Sequence, residues 1–481
     1  MAVSNGMSVR TDIPGLMSLP ELVETIGFGK SQVCILILAC GPFFAEGLEL
    51  LLVSLLTPSI SENLRVDGPS GGVMLCLVLC GACLGNVLSG PVSDLIGRQP
   101  PIIVGYATVI VFSILSSFMN SLTSIGVIRF FVGLGFGIGQ PAALVLLSEV
   151  VPKSYSLASV VATPFAVGLG ALVAVTIVTI DDAWLKDIPT LEWRLLLRCS
   201  ALPLGVLGFL SIFLLPESPS YLAATGDFAM SRDILKQMAE GNGKAGVPVL
   251  FRVPESPRKS LQSQLKQLFI GTSEWSKSLS LLILFIATMV LNFALYGCAY
   301  AVPQSLVAAS VKNSTGLTPS AILILSLVIT CMVLVVGTCF PWRTTRKKGI
   351  VGSLLVAIFS TLLFEISKSH VQSLPWFLVL SCMGIWCAPA FCILLLVQAS
   401  VEQYPRLTST TITSLCFFFG RLGAIVAPVL CDAIVNQARS TSSFFELVVG
   451  LELAVTFSFL ALDLSVNPAV DSNHDAKEID A

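Results

Sequence analysis

Charge is what this chain has least of. Asp, Glu, Lys and Arg make up 12% of its 481 residues, about half the share in a water-soluble domain. With a mean hydropathy of +0.88, that excludes a water-soluble fold. Histidine is scarcer still: His370 falls in a short loop and His474 in the tail, so neither a histidine metal site nor a histidine proton relay can be assembled. There is no basic patch, and a net charge of −2 gives no reason to expect nucleic acid as a partner. Also missing are a nucleophile beside a base, a metal-ligand cluster and a phosphate-cradling loop. An enzyme is therefore not expected, and no cofactor or metal is. The 14 cysteines lack regular spacing and polar flanks; Cys76, Cys80 and Cys83 stand inside an apolar run and read as small buried hydrophobes. No compact apolar core precedes residue 30, where Pro14 and Pro20 interrupt a polar stretch. The first span is then expected to act as its own insertion signal.

What the chain has in abundance is long apolar runs. A helix needs about 20 apolar residues to cross the hydrocarbon core. Scanning at that length gives twelve candidates: 32–58, 71–92, 101–119, 124–148, 156–180, 195–215, 279–302, 319–341, 349–367, 374–399, 410–436 and 443–465. A polar stretch from Glu217 to Lys277 splits them six and six. The expected organisation is an N-terminal segment 1–30, a six-helix bundle 31–216, a linker 217–278, a second six-helix bundle 279–465 and a disordered acidic tail 466–481. The fold class is an all-α membrane protein. Lys and Arg concentrate in the linker and at Arg343, Arg346, Lys347 and Lys348. By the positive-inside rule these segments, and with them both termini, are cytoplasmic. Arg194 and Arg198, at the outer end of the sixth span, run against that trend. An Asn313-Ser314-Thr315 acceptor agrees with it. In the linker, Ser218 is placed as an N-cap and Pro219 as the first helical residue. Tyr221, Leu222, Met230, Ile234, Leu235 and Met238 then recur at helical spacing, which predicts one amphipathic helix ending near Gly241.

Two carboxylates break the first apolar run. Glu46 and Glu49 sit mid-span, where a charge costs on the order of 3 kcal/mol and usually faces a partner or a wet path. Three residues apart, they share a helix face. They form either a proton- or cation-handling site or a buried structural charge pair. At about 1.5 Å per residue, Glu49 lies roughly 12 Å and Glu46 roughly 16 Å from the outer end of that span. Arg129 lies roughly 8 Å from the outer end of the fourth. An arginine side chain bridges the difference, so a Glu49–Arg129 pair is expected. The run Gly133, Gly135, Gly137, Gly139 lets the fourth helix approach a neighbour closely. Gln140, Asn292, Tyr296 and Trp386 are candidates to line the same cavity, with packing or helix–helix hydrogen bonding as the alternative. Glu446 and Glu452 lie on different faces of the last span; Glu452 reads as either a second functional acid or an oligomer contact. Asp432 falls near the outer edge and reads as interfacial.

Between the second and third spans runs Gly90-Pro91-Val92-Ser93-Asp94-Leu95-Ile96-Gly97-Arg98. Asp94 and Arg98 on so short a turn suit a latch: Asp94 against the N-terminal end of a neighbouring helix, Arg98 against a carboxylate such as Glu149 or Glu217. The fourth span closes on Glu149, Pro152 and Lys153, the tenth on Glu402, Pro405 and Arg406. That recurrence points to two related halves.

Together these segments resemble the signatures of the major facilitator superfamily. Trp193-Arg194 and Pro216-Glu217-Ser218-Pro219-Ser220-Tyr221-Leu222 look like its sugar porter and organic-ion branch. Glu46-Gly47-Leu48-Glu49 is similar to the acid-x-x-acid motif of the synaptic-vesicle-two-related transporters, and Gly420-Arg421-Leu422-Gly423 with Pro428 fits as well. The resemblance spans about residues 27–465. It implies two pseudo-symmetric six-helix bundles. It also implies a cytoplasmic gate of Gly90, Asp94, Gly97, Arg98, Glu149, Glu217, Glu402 and Arg421. Leu95, Gln99 and Ser220 depart from it by replacing basic residues. The glutamines of true sugar porters are missing from the fifth and seventh spans, which ranks an organic ion ahead of a sugar or other neutral polyol. The implied function is alternating-access secondary transport of a small organic solute, coupled to protons through Glu46, Glu49 and Arg129. Its partners are the solute, protons and the lipid bilayer of a plasma or vesicle membrane. The alternative is a non-transporting receptor or scaffold on the same fold.

Overall fold

The computed structural model describes residues 17–461 apart from 66–69, 182–190, 252–274, 313–318, 339–345, 370–374, 404–405 and 439. The Asn313 acceptor, linker residues 252–274, Arg343, the Tyr404-Pro405 end of the repeat, both histidines and the tail lie outside the described residues. Eleven described helices are long and apolar enough to cross a bilayer. A further helix, Pro319–Thr338, stands in the eighth place, giving two bundles of six. Every described cysteine is free.

The first span runs from Lys30 to Leu64, further than its apolar run suggests, and is bent at Cys40. Pro42 explains the bend: it has no N–H to offer the carbonyl four residues back. That carbonyl, Leu38 O, instead accepts from the Tyr106 hydroxyl of the third span at 2.8 Å. Glycines set the spacing inside the N-terminal bundle. A Cβ at Gly47 would sit 1.9 Å from Val167 O of the fifth span, and one at Gly133 1.8 Å from Val78 O of the second. Either carbon collides with backbone, so these helices pack closer than any side chain allows. The halves meet where the second span lies against the eleventh and the fifth against the eighth.

The linker differs from the single helix expected. It forms two, Pro219–Thr225 and Phe228–Gly241, because Gly226 turns left-handed at φ 92° and Asp227 caps the second through Met230 N at 3.1 Å. Ser218 and Pro219 take their expected places, but Met230 points outward at 49% exposure. The segment before the first span is not simply polar chain. Leu19–Ile26 is a helix whose buried face is Leu19, Leu22, Val23 and Ile26. Its carboxylate Glu24 accepts from Lys153 N at 2.7 Å. Asn242 Nδ2 donates to Gln32 Oε1 at 2.7 Å, so this helix, the linker helices and the first span share one end of the molecule, called the linker end below.

Candidate functional site

The two acids of the first span divide between two separate networks. Glu49 is fully buried and stays within the N-terminal bundle. Its Oε2 pairs with Arg129 of the fourth span. Its Oε1 accepts from Ser113 of the third span at 2.9 Å, with Ser200 of the sixth at 3.1 Å. The expected Glu49–Arg129 pair is thus present, while the two serines carry no sequence signal beyond being lone hydroxyls in apolar runs.

Glu46 reaches across to the other half. Its Oε1 accepts from Arg421 of the eleventh span and, at 2.6 Å, from the Tyr296 hydroxyl of the seventh. Its Oε2 accepts from Gln140 Nε2 of the fourth at 2.6 Å. Arg421 Nη2 donates back to Gln140 Oε1, and Nη1 to the Tyr296 hydroxyl, both at 2.9 Å. Two residues from each half therefore close a ring of charge-assisted hydrogen bonds. Glu46 is 2% exposed and Arg421 4%, so both charges of this central pair are buried.

Arg421 is the clear correction to the expected gate. It belongs to the centre because it stands fifteen residues into the helix Arg406–Ala438, roughly 22 Å from that helix's start. Of the other residues expected in the gate, Asp94, Gly97, Arg98, Glu149 and Glu217 come together at the linker end. Arg98, 1% exposed, lies with Nε 3.4 Å from Glu149 Oε2 and Nη1 3.6 Å from Asp94 Oδ1. Tyr221 stacks under its guanidinium at 4.9 Å. Glu217 accepts from Arg98 N at 2.8 Å and Gln99 N at 3.2 Å. It is thus Glu217 that caps a helix N-terminus, the third span's. Gly97 is held at φ 103°, and a Cβ there would meet Glu217 Oε2 at 2.2 Å. At Gly90, by contrast, a Cβ meets nothing within 4 Å. The side chain of Glu402 lies outside the described residues.

The opposite, far end holds a contact that sequence reasoning missed. Asp432, read as interfacial, is tied to both halves. Its Oδ2 accepts from Gly72 N of the second span and its Oδ1 from the Tyr300 hydroxyl of the seventh, each at 2.8 Å. Gly72 is needed here, since a Cβ would sit 2.7 Å from Pro428 O. Arg194 is spent on the same end, donating to Met119 O at 3.2 Å and Asn120 Oδ1 at 2.9 Å.

Two cavity candidates stand apart from the central ring. Asn292 Nδ2 donates to Thr288 O of its own helix at 2.7 Å. Trp386 Nε1 is buried without an acceptor. In the last span Glu446 is exposed while Glu452 is 1% exposed. Burial inside one chain removes Glu452 from the oligomer contact considered for it.

Paired six-helix bundles, glycine-spaced spans and a polar centre between the halves define a multi-pass membrane protein of the major facilitator superfamily. Residues 59–462 match the family model described as "Sugar (and other) transporter", and the chain belongs to that family. Synaptic vesicle 2-related protein of Xenopus laevis is 30% identical over 46% of this chain and 39% of its own length. The Homo sapiens protein named putative transporter SVOPL is 24% identical over 49% and 48%. The chain thus spans less than half the length of these curated relatives. Among solved structures, the E. coli xylose transporter XylE in a partially occluded inward open conformation superposes with TM-score 0.66 at 16% identity, over 90% of this chain and 99% of that one. The nucleoside transporter NupG does so with TM-score 0.63 at 15% identity, over 90% and 99%. At such identities these two speak for the fold alone.

Proposed function

We propose that the chain is an alternating-access secondary transporter of a small organic ion, driven by protons, with the linker end in the cytoplasm. The observation that carries this reading is the Glu46–Arg421 bond, a buried ion pair across the surface along which the two bundles would part. Rocking the halves apart breaks it. Breaking a buried pair with no replacement costs about 3–5 kcal/mol, comparable to the few kcal/mol that separate conformations of a working protein. Cheap passage needs substitute partners: a proton for Glu46 and solute groups for the rest of the ring. Glu49, satisfied entirely inside one bundle, keeps its partners throughout and positions the first span.

The two ends support a direction. Asp432 ties the second span to the eleventh at the far end, while the described ion pairs of the linker end stay within the N-terminal half. In the orientation expected from the lysines and arginines, that is a state closed outward. A ring built on one carboxylate and one guanidinium suits an ion better than a hexose, whose hydroxyls compensate neither charge.

The test is solute uptake into proteoliposomes under an imposed pH gradient. Uptake is expected to follow the gradient and to lose that dependence in Glu46→Gln. Transport that ignores the gradient and survives both Glu46→Gln and Glu49→Gln rejects proton coupling through these acids.

A further inference from the structure

Charge balance in the central ring selects the sign of the solute. We infer that the site takes an organic anion, typified by a monocarboxylate, which displaces Glu46 from the Arg421 fork while Glu46 takes up one proton. The inference rests on the transporter reading above and sharpens it.

The argument starts from an asymmetry between the two charged partners. Arginine cannot lose its proton in a protein; a carboxylate can gain one. A cationic solute paired with Glu46 leaves a buried, unneutralised Arg421 with no way to discharge. An anionic solute on Arg421 leaves Glu46 unpaired, and a proton from solvent neutralises it. The count closes. Before binding, the ring holds one negative and one positive side chain; afterwards it holds a neutral Glu46, the guanidinium and one anion. Net charge is zero in both states. Geometry agrees with chemistry: Arg421 turns Nη1 toward Glu46 and Tyr296 and Nη2 toward Gln140. Its planar fork is thus already occupied by oxygen acceptors of the kind a solute carboxylate brings. Tyr296, which donates to Glu46 in the present state, is free to donate to the incoming carboxylate once Glu46 is neutral.

Among the described residues, no other group near Glu46 can do the neutralising. The seventh span presents Tyr296, the fourth Gln140 and the eleventh Arg421. Cys83 of the second span lies within electrostatic reach of Arg421. On its own helix the next acid is Glu49, already held by Arg129. The fifth span, packed on the first at Gly47, has no titratable side chain between Val161 and Ile180.

Full-length protein in nanodiscs is titrated with monocarboxylates graded in size from acetate to benzoate, with benzyltrimethylammonium and with glucose, reading the melting temperature and apparent affinity. At least one carboxylate is expected to bind. Its affinity should rise close to tenfold for each pH unit lowered, because the bound state carries one more proton than the free one. Glu46→Gln, with Arg421 left uncompensated, should bind that carboxylate at least tenfold tighter at pH 7.5, with the pH dependence gone. Arg421→Gln should not bind it. Binding only of the cation or the sugar overturns the inference, as does a panel in which nothing binds. A wild-type carboxylate affinity indifferent to pH overturns it too, a result that needs no variant to fold. Loss of carboxylate binding in a folded Glu46→Gln protein has the same force. Carboxylate binding with these signatures but no entry into vesicles keeps the anion site and rejects the transporter reading; uptake of the cation does the reverse.

Discussion

The division of labour between the two acids predicts opposite outcomes from matched pairs of substitutions. Glu49→Gln leaves the Arg129 guanidinium buried at 1% exposure, with its Nη2 already lacking an acceptor. Removing one member of a buried pair costs about 3–5 kcal/mol, a loss of roughly two to three and a half powers of ten in the folded-to-unfolded ratio. The double change Glu49→Leu with Arg129→Met removes both charges at similar volume. It is expected to recover stability to within about 1 kcal/mol of the parent, as replaced buried pairs often do. The same cycle on Glu46→Leu with Arg421→Met should also recover stability. The two doubles part company in function. With the Glu46–Arg421 pair gone, proton-driven uptake falls to background; with the Glu49–Arg129 pair replaced, measurable uptake remains. Unfolding in detergent micelles gives the coupling free energy of each cycle, and vesicle uptake gives the function. If the Glu49–Arg129 double is stable but inert while the Glu46–Arg421 double transports, the assignment is reversed and the reasoning fails.

Three further outcomes follow from particular contacts. Asp432→Ala removes the hydrogen bond from Gly72 N that joins the halves at the far end, together with the Tyr300 bond that orients the carboxylate; at about 1.5 kcal/mol for one accepted by a charged group, the open population there should rise at least tenfold, read by thiol labelling of a cysteine introduced nearby. Unchanged labelling would mean the latch does not hold the gate. Tyr106→Phe leaves Leu38 O without its donor, for a loss of about 1–3 kcal/mol, and adding Pro42→Ala, which restores a backbone N–H, should return most of it; a cycle with no coupling refutes the account of the bend. The Glu24 carboxyl is held below its ordinary value of 4.5 by the Ser154 hydroxyl and by the Lys153 and Ser154 backbone N–H groups. The stability it lends the N-terminal helix is present above pH 4.5 and is lost as pH falls through and below that value. Limited proteolysis near residue 27 should therefore accelerate at pH 4 relative to pH 6, and Glu24→Gln should flatten the difference.

The spans were legible because one quantity, apolar length, decides them. The Glu49–Arg129 pair was legible because depth along two helices could be counted from the same side of the membrane. Arg421 was misplaced because its neighbours Gly420 and Gly423 resemble a gate signature, whereas its depth within a 33-residue helix puts it at the centre. Asp432 was unreadable for a different reason: its partners Gly72 and Tyr300 belong to different halves, and no local pattern encodes contact between them. The N-terminal helix did leave a signal. Ser18 and Glu21 form a capping box in which Glu21 Oε2 accepts from Ser18 N at 2.8 Å, and Pro20 suits a first turn as well as it suits a loop.

The spacing of the doublet explains how one helix serves both networks. Three residues separate Glu46 and Glu49 by about 60° around the axis and about 4.5 Å along it. One carboxylate then points into the N-terminal bundle while the other, on nearly the same face, clears the bundle and meets the opposite half. Moving Glu46 one residue toward Ala45 or Gly47 would turn it by about 100°. At 47 it would drive into Val167 O, the carbonyl that leaves no room for a Cβ there. A glycine between the two acids is therefore part of the same construction: it lets the fifth span close on the first from one side, leaving the other side for the seam. The first span cannot slide within its own bundle without breaking the Glu49–Arg129 bond. Relative motion is thereby directed to the seam, where Glu46 is held by Arg421 and Tyr296 of the other half.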